Sequence, residues 1–237
     1  MILISGVRLP PLNGVYQRRF SDDDAARKDA LWREIGLYLQ RYLPSAGVVL
    51  DLACDRGHFI RNIRAREKWA TDLRDVSAHL PPDVRFVQAP GLELDRHLPN
   101  EHFDVVFLSN YLEHLPDGDA VVEQLRVACT LLQPGGRVVV LQPNIRLVGD
   151  AYWDFIDHSV ALTEKSLVEA GELAGLRTRE VVTRFLPYTT KSRLPQSPRL
   201  VRAYLRLPLA WRLLGKQTLY IGERVGSCGN KAVTHSR

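Results

Sequence analysis

Long apolar runs are missing from this chain. No stretch reaches the ~18 residues that a membrane-crossing helix needs, so no transmembrane helix is expected. Met1–Leu12 holds a glycine, an arginine and two prolines, but no basic start and no small-residue cleavage site, so a signal peptide is not expected either. Cysteine is scarce. Cys54, Cys129 and Cys228 are too few and too scattered for a disulfide framework, and their odd number points to a reducing, cytoplasmic setting. The seven histidines show no ligand spacing, so no metal site is expected. Internal repeats and low-complexity tracts are absent.

What is present suits one α/β domain. The chain has 237 residues, 45% of them hydrophobic, enough for a large core. The net charge of +5 is unevenly placed. From Arg184 onward eleven basic residues face one acid, Glu223, so this part carries +10 and the first 183 residues carry −5. A basic segment either attracts an anionic partner or keeps a surface soluble.

The opening segment to Phe20 reads as an irregular arm. Ser21 suits a helix N-cap, with Asp22, Asp23 and Asp24 complementing the dipole of the first turn. Leu31, Ile35 and Leu39 recur at near-helical spacing, and Pro44 ends the run. Continuous apolar strands are then predicted at Val48–Leu52, Trp69–Asp72, Val84–Gln88, Val105–Ser109 and Arg137–Gln142, separated by helix-length segments. Such strands belong to a parallel sheet covered on both faces, a doubly wound α/β fold. Thr163 caps a further helix that Gly175 stops, and strands at Thr178–Phe185 and Thr218–Glu223 follow. Between them lies a Pro- and Arg-rich stretch, in which Pro208 divides 198–214 into two short helices.

In such folds ligands bind beyond the carboxyl ends of the strands, where the strand order reverses. After the first strand the chain reads Asp51-Leu52-Ala53-Cys54-Asp55-Arg56-Gly57, a small-residue turn into a helix. Asp72 ends the second strand about twenty residues on, where such folds hold ribose hydroxyls. Asp55 would repel a pyrophosphate, which disfavours a nicotinamide dinucleotide.

VVLDLACDRGHF resembles the first motif of class I S-adenosylmethionine (SAM)-dependent methyltransferases. FDVVFLSNYLEHLPD resembles their strand-four motif, LLQPGGRVVVLQPN their strand five, and TEKSLVEAGELAGLRTRE the helix and strand beyond it. The resemblance covers roughly residues 45–185. It implies a mostly parallel seven-stranded sheet with an antiparallel last strand, SAM as cofactor and S-adenosylhomocysteine as product. It divides the chain into an arm and helix, 1–44, and a SAM-binding domain, 45–237, with a lid at 186–215. The chain departs from the pattern at two of the usual loop glycines, where Ala53 and Asp55 stand. Asp is among the few residues that tolerate a positive φ.

The cofactor residues so implied are Asp51, Ala53, Cys54, Asp55, Gly57, Asp72, Leu73, Ala89, Asn110 and Tyr111. PNIRLVGDAYWDFIDHSVALTEKSL, with RFLPYTTKSRLP after it, resembles a bacterial subgroup associated with surface-polysaccharide or lipid-carrier chemistry. Methyl transfer to a hydroxyl oxygen requires loss of its proton, which calls for a base, and histidine titrates in the right range. His158 and His114 are the catalytic candidates. Asn144, Arg146, Tyr152, Asp157 and Tyr188 are the candidate acceptor contacts. The expected acceptor is a small molecule, a glycan or a lipid-linked molecule, with peripheral contact to an anionic membrane through 198–214, at the inner face of the membrane of a cytoplasmic protein. A degenerate methyltransferase-like binding protein is one alternative, favoured by Ala53 and Asp55. A nucleic-acid methyltransferase is disfavoured, because Ser109-Asn110-Tyr111-Leu112 lacks the amino-directed signature and no nucleic-acid module is appended.

Overall fold

The computed structural model describes residues 22–188, 197–226 and 228. The arm to Phe20 and the Ser21 cap lie outside these residues, as do 189–196. The described strands are β1 (Val48–Leu52), β2 (Glu67–Asp72), β3 (Val84–Gln88), β4 (Phe103–Ser109), β5 (Leu132–Pro143), β6 (Leu176–Leu186) and β7 (Gln217–Arg224). They form one sheet in the order β3-β2-β1-β4-β5-β7-β6. β1 to β5 pair in parallel, and β7 runs antiparallel between β5 and β6. The strand order therefore reverses between β1 and β4, which locates the ligand crevice at their carboxyl ends.

The described helices are α1 (Asp22–Leu39), α2 (His58–Arg61), α3 (Gly118–Leu131), α4 (Ile145–Val148), α5 (Glu164–Leu173), α6 (Pro198–Leu205) and α7 (Pro208–Leu214). Full-length crossover helices are fewer than the alternation suggests. The links after β2 and β3 form only 3-10 turns, Ser77–His79 and Gly91–Arg96. Pro81 and Pro82 limit the first, and Pro90 with Gly91 opens the second. Both lid helices start on a proline, whose missing N–H is no loss at a helix start.

Two apolar layers bury the sheet. On one face α3 and α5 pack through Leu125, Ala128 and Leu167 onto Leu50, Leu108 and Val140. On the other face Leu39, Phe59, Phe107 and Phe185 form the core. Trp32 of α1 meets Phe59 and Phe107 edge-on, and those two rings stack at 3.6 Å. The N-terminal helix is thus part of the domain's core. Asp29 fixes it to the cofactor loop: its carboxylate accepts from Asn62 Nδ2 at 3.0 Å and lies 3.5 Å from His58 Nδ1.

One expectation is corrected here. Cys129 and Cys228 are joined in a disulfide across 99 positions, and Cys54 alone is free. Cys129 sits on the buried side of α3, and the chain after β7 returns to meet it. Cysteine spacing carries no record of that return, and the pairing removes the cysteine-based case for a reducing compartment.

Candidate active site

β1 ends in Asp51 and leads into a turn at three alternate left-handed positions: Ala53 (φ 56°), Asp55 (φ 49°) and Gly57 (φ 69°). A Cβ at Gly57 would lie 2.3 Å from the tip of the Leu80 side chain, which would have to move aside. Ala53 and Asp55 hold the same backbone shape under strain, at about 1–2 kcal/mol each. Asp51 is buried. Burial raises its pKa well above the ordinary range, helped by the charges of Asp72 and Asp55, while a backbone hydrogen bond from Ile60 works against the shift. Its Oδ2 is buried without a hydrogen-bond partner. Buried polar atoms are normally satisfied, so this oxygen marks a place for a donor from a ligand. Cys54 is buried and its thiol pKa is pushed far up by burial, which makes it a packed side chain rather than a nucleophile.

β2 delivers Asp72 to the neighbouring strand end. Its Oδ2 accepts from the Asp55 backbone N–H at 3.0 Å, tying the two loops together. Arg74, which sequence reasoning passed over, covers the rest. Its Nε donates to Asp72 Oδ1 at 3.0 Å and its Nη2 reaches Asp72 Oδ2 at 3.2 Å and Asp55 Oδ1 at 2.9 Å. Leu73 is 45% exposed beside Asp72, and the buried Ala89 donates its N–H to the Asp72 carbonyl. Asn110 ends β4 in a left-handed conformation (φ 48°). The Tyr111 hydroxyl donates to Gln124 at 2.9 Å. The unsatisfied Asp51 oxygen suits the ammonium of SAM, Asp72 its ribose hydroxyls, and Leu73 with Ala89 an apolar base, so the residues present fit this cofactor.

The acceptor candidates converge at the ends of β4 and β5. His114 and His158 lie with ring centroids 5.0 Å apart. The segment carrying His158 is docked by the Ser159 and Val160 N–H groups, which donate to the Glu113 carbonyl at 2.8 and 3.1 Å. The fully buried Tyr152 meets His158 edge-on at 4.8 Å, and Phe155 lies 5.1 Å from it on a tilted plane. Tyr188 reaches this group through Phe155, at 6.4 Å. The Asp157 carbonyl lies 3.0 Å from His114 Nδ1, and its carboxylate 3.5 Å.

Two candidates have other tasks. Asn144 is buried, and its amide bonds Glu164 at 2.7 Å, Thr218 at 3.1 Å and the Arg146 backbone. Arg146 pairs with Glu164 at 3.0 Å. Asn144 is the N-cap of α4, its side-chain oxygen accepting from the Arg146 N–H. Glu113 was overlooked in the sequence, although it is a fully buried carboxylate beside both histidines. Glu-His after strand four was its only signal.

The methyltransferase domain family matches residues 25–181, most of the chain. The chain belongs to that family, and SAM is its methyl donor. Solved structures agree in fold. A chain from the complex of the Haloferax volcanii Trm112 methyltransferase activator with a methyltransferase is 16% identical, with a TM-score of 0.65 over 93% of this chain and 100% of that one. The N-methyltransferase NodS of Bradyrhizobium japonicum, in complex with S-adenosylhomocysteine, is 15% identical, with a TM-score of 0.62 over 90% and 98%. The geranyl diphosphate C-methyltransferase of Streptomyces coelicolor is 17% identical, with a TM-score of 0.56 over 81% and 78%. No curated protein matches the sequence.

Proposed function

We propose that this methyltransferase acts on a hydroxyl oxygen of a small-molecule, glycan or lipid-linked acceptor. The observation that carries the reading is the pair His114 and His158 at the carboxyl ends of β4 and β5. SAM supplies a methyl group on a sulfonium, already a good leaving group. What the protein must add is alignment, exclusion of water and removal of the hydroxyl proton. Imidazoles walled by Tyr152 and Phe155 meet that last need. The test is turnover of isotopically methyl-labelled SAM with monosaccharide, oligosaccharide and polyprenyl-phosphate-sugar acceptors. Carbon NMR of the product separates O-methyl from N-methyl and C-methyl. An N- or C-methyl product would overturn the oxygen assignment.

The lid supports the lipid-linked form of this reading. Val201, Tyr204, Leu205 and Trp211 pack inward, while Leu200, Leu207, Leu209 and Leu213 are exposed, the last at 82%. Arg199, Arg206 and Arg212 share the exposed surface. Arg202 does not join them, because Glu34 of α1 clamps it at 2.7 and 2.6 Å. The lid ends at the carboxyl edge of the sheet, where the Asn144 N–H donates to the Lys216 carbonyl at 3.0 Å. We infer an anionic membrane surface as its contact. Each exposed arginine contributes about 1 kcal/mol near such a surface. Co-sedimentation with anionic vesicles at low salt should be lost on changing Arg199, Arg206 and Arg212 to Gln. Equal binding by both proteins would leave the segment an ordinary lid and the acceptor soluble.

A further inference from the structure

We propose that Glu113, His114 and His158 bind one divalent first-row transition-metal cation at the acceptor side of the crevice. One donor atom from each of the three lies within 4.8 Å of the others. Two imidazole nitrogens and one carboxylate oxygen suit zinc, iron(II), cobalt or manganese, whereas magnesium and calcium prefer oxygen donors alone.

The orientation of His114 is an independent indication. A carbonyl oxygen can only accept, so His114 Nδ1, 3.0 Å from the Asp157 carbonyl, carries the proton. In the neutral ring Nε2 then holds a lone pair, and it faces Glu113 Oε1 at 4.0 Å. Metal-bound histidines are held in this way, by a carbonyl or carboxylate on the far nitrogen. Glu113 gives a third indication. Its carboxylate is 1% exposed, and Gln142 Nε2 donates to Oε2 at 3.0 Å. The other oxygen, Oε1, is the one that faces His114 Nε2, so the second donor of the set is held in place by a bond made through Oε2. Donors around a tetrahedral ion with bonds near 2.1 Å stand about 3.4 Å apart, so a donor pair at the 4.8 Å limit closes by about 1.4 Å. Of the three, His114 is the partly buried side chain, and the one with room to turn toward the other two.

The binding itself does not depend on the acceptor. Its chemical role rests on the oxygen-acceptor reading. Three protein donors leave open positions for an acceptor hydroxyl, and the cation lowers the pKa of that hydroxyl. The proton leaves to water, the oxygen forms a bond to the methyl carbon, and the carbon–sulfur bond breaks with its electron pair kept by sulfur. The two imidazoles then meet the need for proton removal as ligands of that cation.

The test titrates the chelator-stripped full chain with Zn2+ by calorimetry and with Co2+ by visible absorption. One equivalent should bind, and Co2+ should show the intense bands of a low-coordinate nitrogen and oxygen site. His114→Gln, His158→Gln and Glu113→Gln should each weaken binding by about tenfold or more. His97→Gln, at an exposed histidine away from the cluster, should leave it unchanged. Unchanged S-adenosylhomocysteine affinity in each variant shows that it is folded. The wild-type Co2+ spectrum reads the donor set even where a variant fails to fold. No binding of Zn2+, Co2+ or Mn2+ at millimolar concentration, or binding that survives the double His114→Gln/His158→Gln change, would overturn the site. Because no acceptor is present, such a failure leaves the oxygen reading standing, and an N-methyl product would leave the metal site standing.

Discussion

Asp72 and Arg74, two positions apart, are closed on each other: the Arg74 guanidinium contacts both oxygens of the carboxylate, at 3.0 and 3.2 Å. The carboxylate that ribose hydroxyls require is therefore already engaged, and Arg74 also places a positive charge beside a cationic cofactor. Arg74→Ala frees Asp72 and leaves Asp51, Asp55 and Asp72 to attract the sulfonium. SAM should bind up to about tenfold more tightly, equivalent to about 1.4 kcal/mol. Neutral S-adenosylhomocysteine should gain less. Calorimetry with both ligands checks this, and weaker binding of both would mean that Arg74 itself holds the cofactor.

Ala53 carries left-handed strain that glycine would not (φ 56°). Releasing about 1–2 kcal/mol outweighs the roughly 0.5–1 kcal/mol that glycine loses in backbone entropy. Ala53→Gly should raise unfolding stability by about 0.5–1 kcal/mol. Asp55→Gly relieves similar strain and loses a half-exposed ion pair with Arg74 of small value. Urea unfolding measures both. A destabilised Ala53→Gly protein would show that its packing on the core outweighs the strain.

Asp51 should make cofactor binding pH-dependent. In the free protein burial raises its pKa above the ordinary carboxylate range. A bound ammonium favours the carboxylate and draws the pKa down. Binding therefore releases a proton below the raised free-state pKa, and affinity falls as pH falls through that value. Asp51→Asn should flatten this slope and weaken S-adenosylhomocysteine binding by about 1.5–3 kcal/mol. Calorimetry across pH, in buffers of different ionisation enthalpy, reads the released proton. A wild-type affinity flat with pH would remove Asp51 from the ammonium.

Cys129–Cys228 closes a loop of 99 positions. Under denaturing, non-reducing conditions alkylation should modify Cys54 alone, and after reduction all three cysteines. Cys228→Ser should lower stability by about 2–4 kcal/mol, the usual effect of losing a long-loop bridge. Three modified cysteines without reductant would show that the pair is not formed.

The sequence by itself determined the number and order of the strands and the cofactor loop, while β5, β6 and β7 extend past the ends that periodicity predicts. These are local: a buried, mostly apolar run marks Val48–Leu52, and Asp51 and Asp72 sit at the ends of their strands. The positive φ at Asp55 was legible because few residues besides glycine tolerate it. Tertiary structure decided the rest. Arg74 folding back on Asp72, Glu34 clamping Arg202, Cys228 returning to Cys129, and Glu113 meeting His114 and His158 all depend on strand order and chain reversal. Side-chain periodicity reports which face of its own element a residue lies on. It carries no information about which distant element that face will meet, and so the place of Glu113 beside His114 and His158 was visible only once the sheet had been assembled.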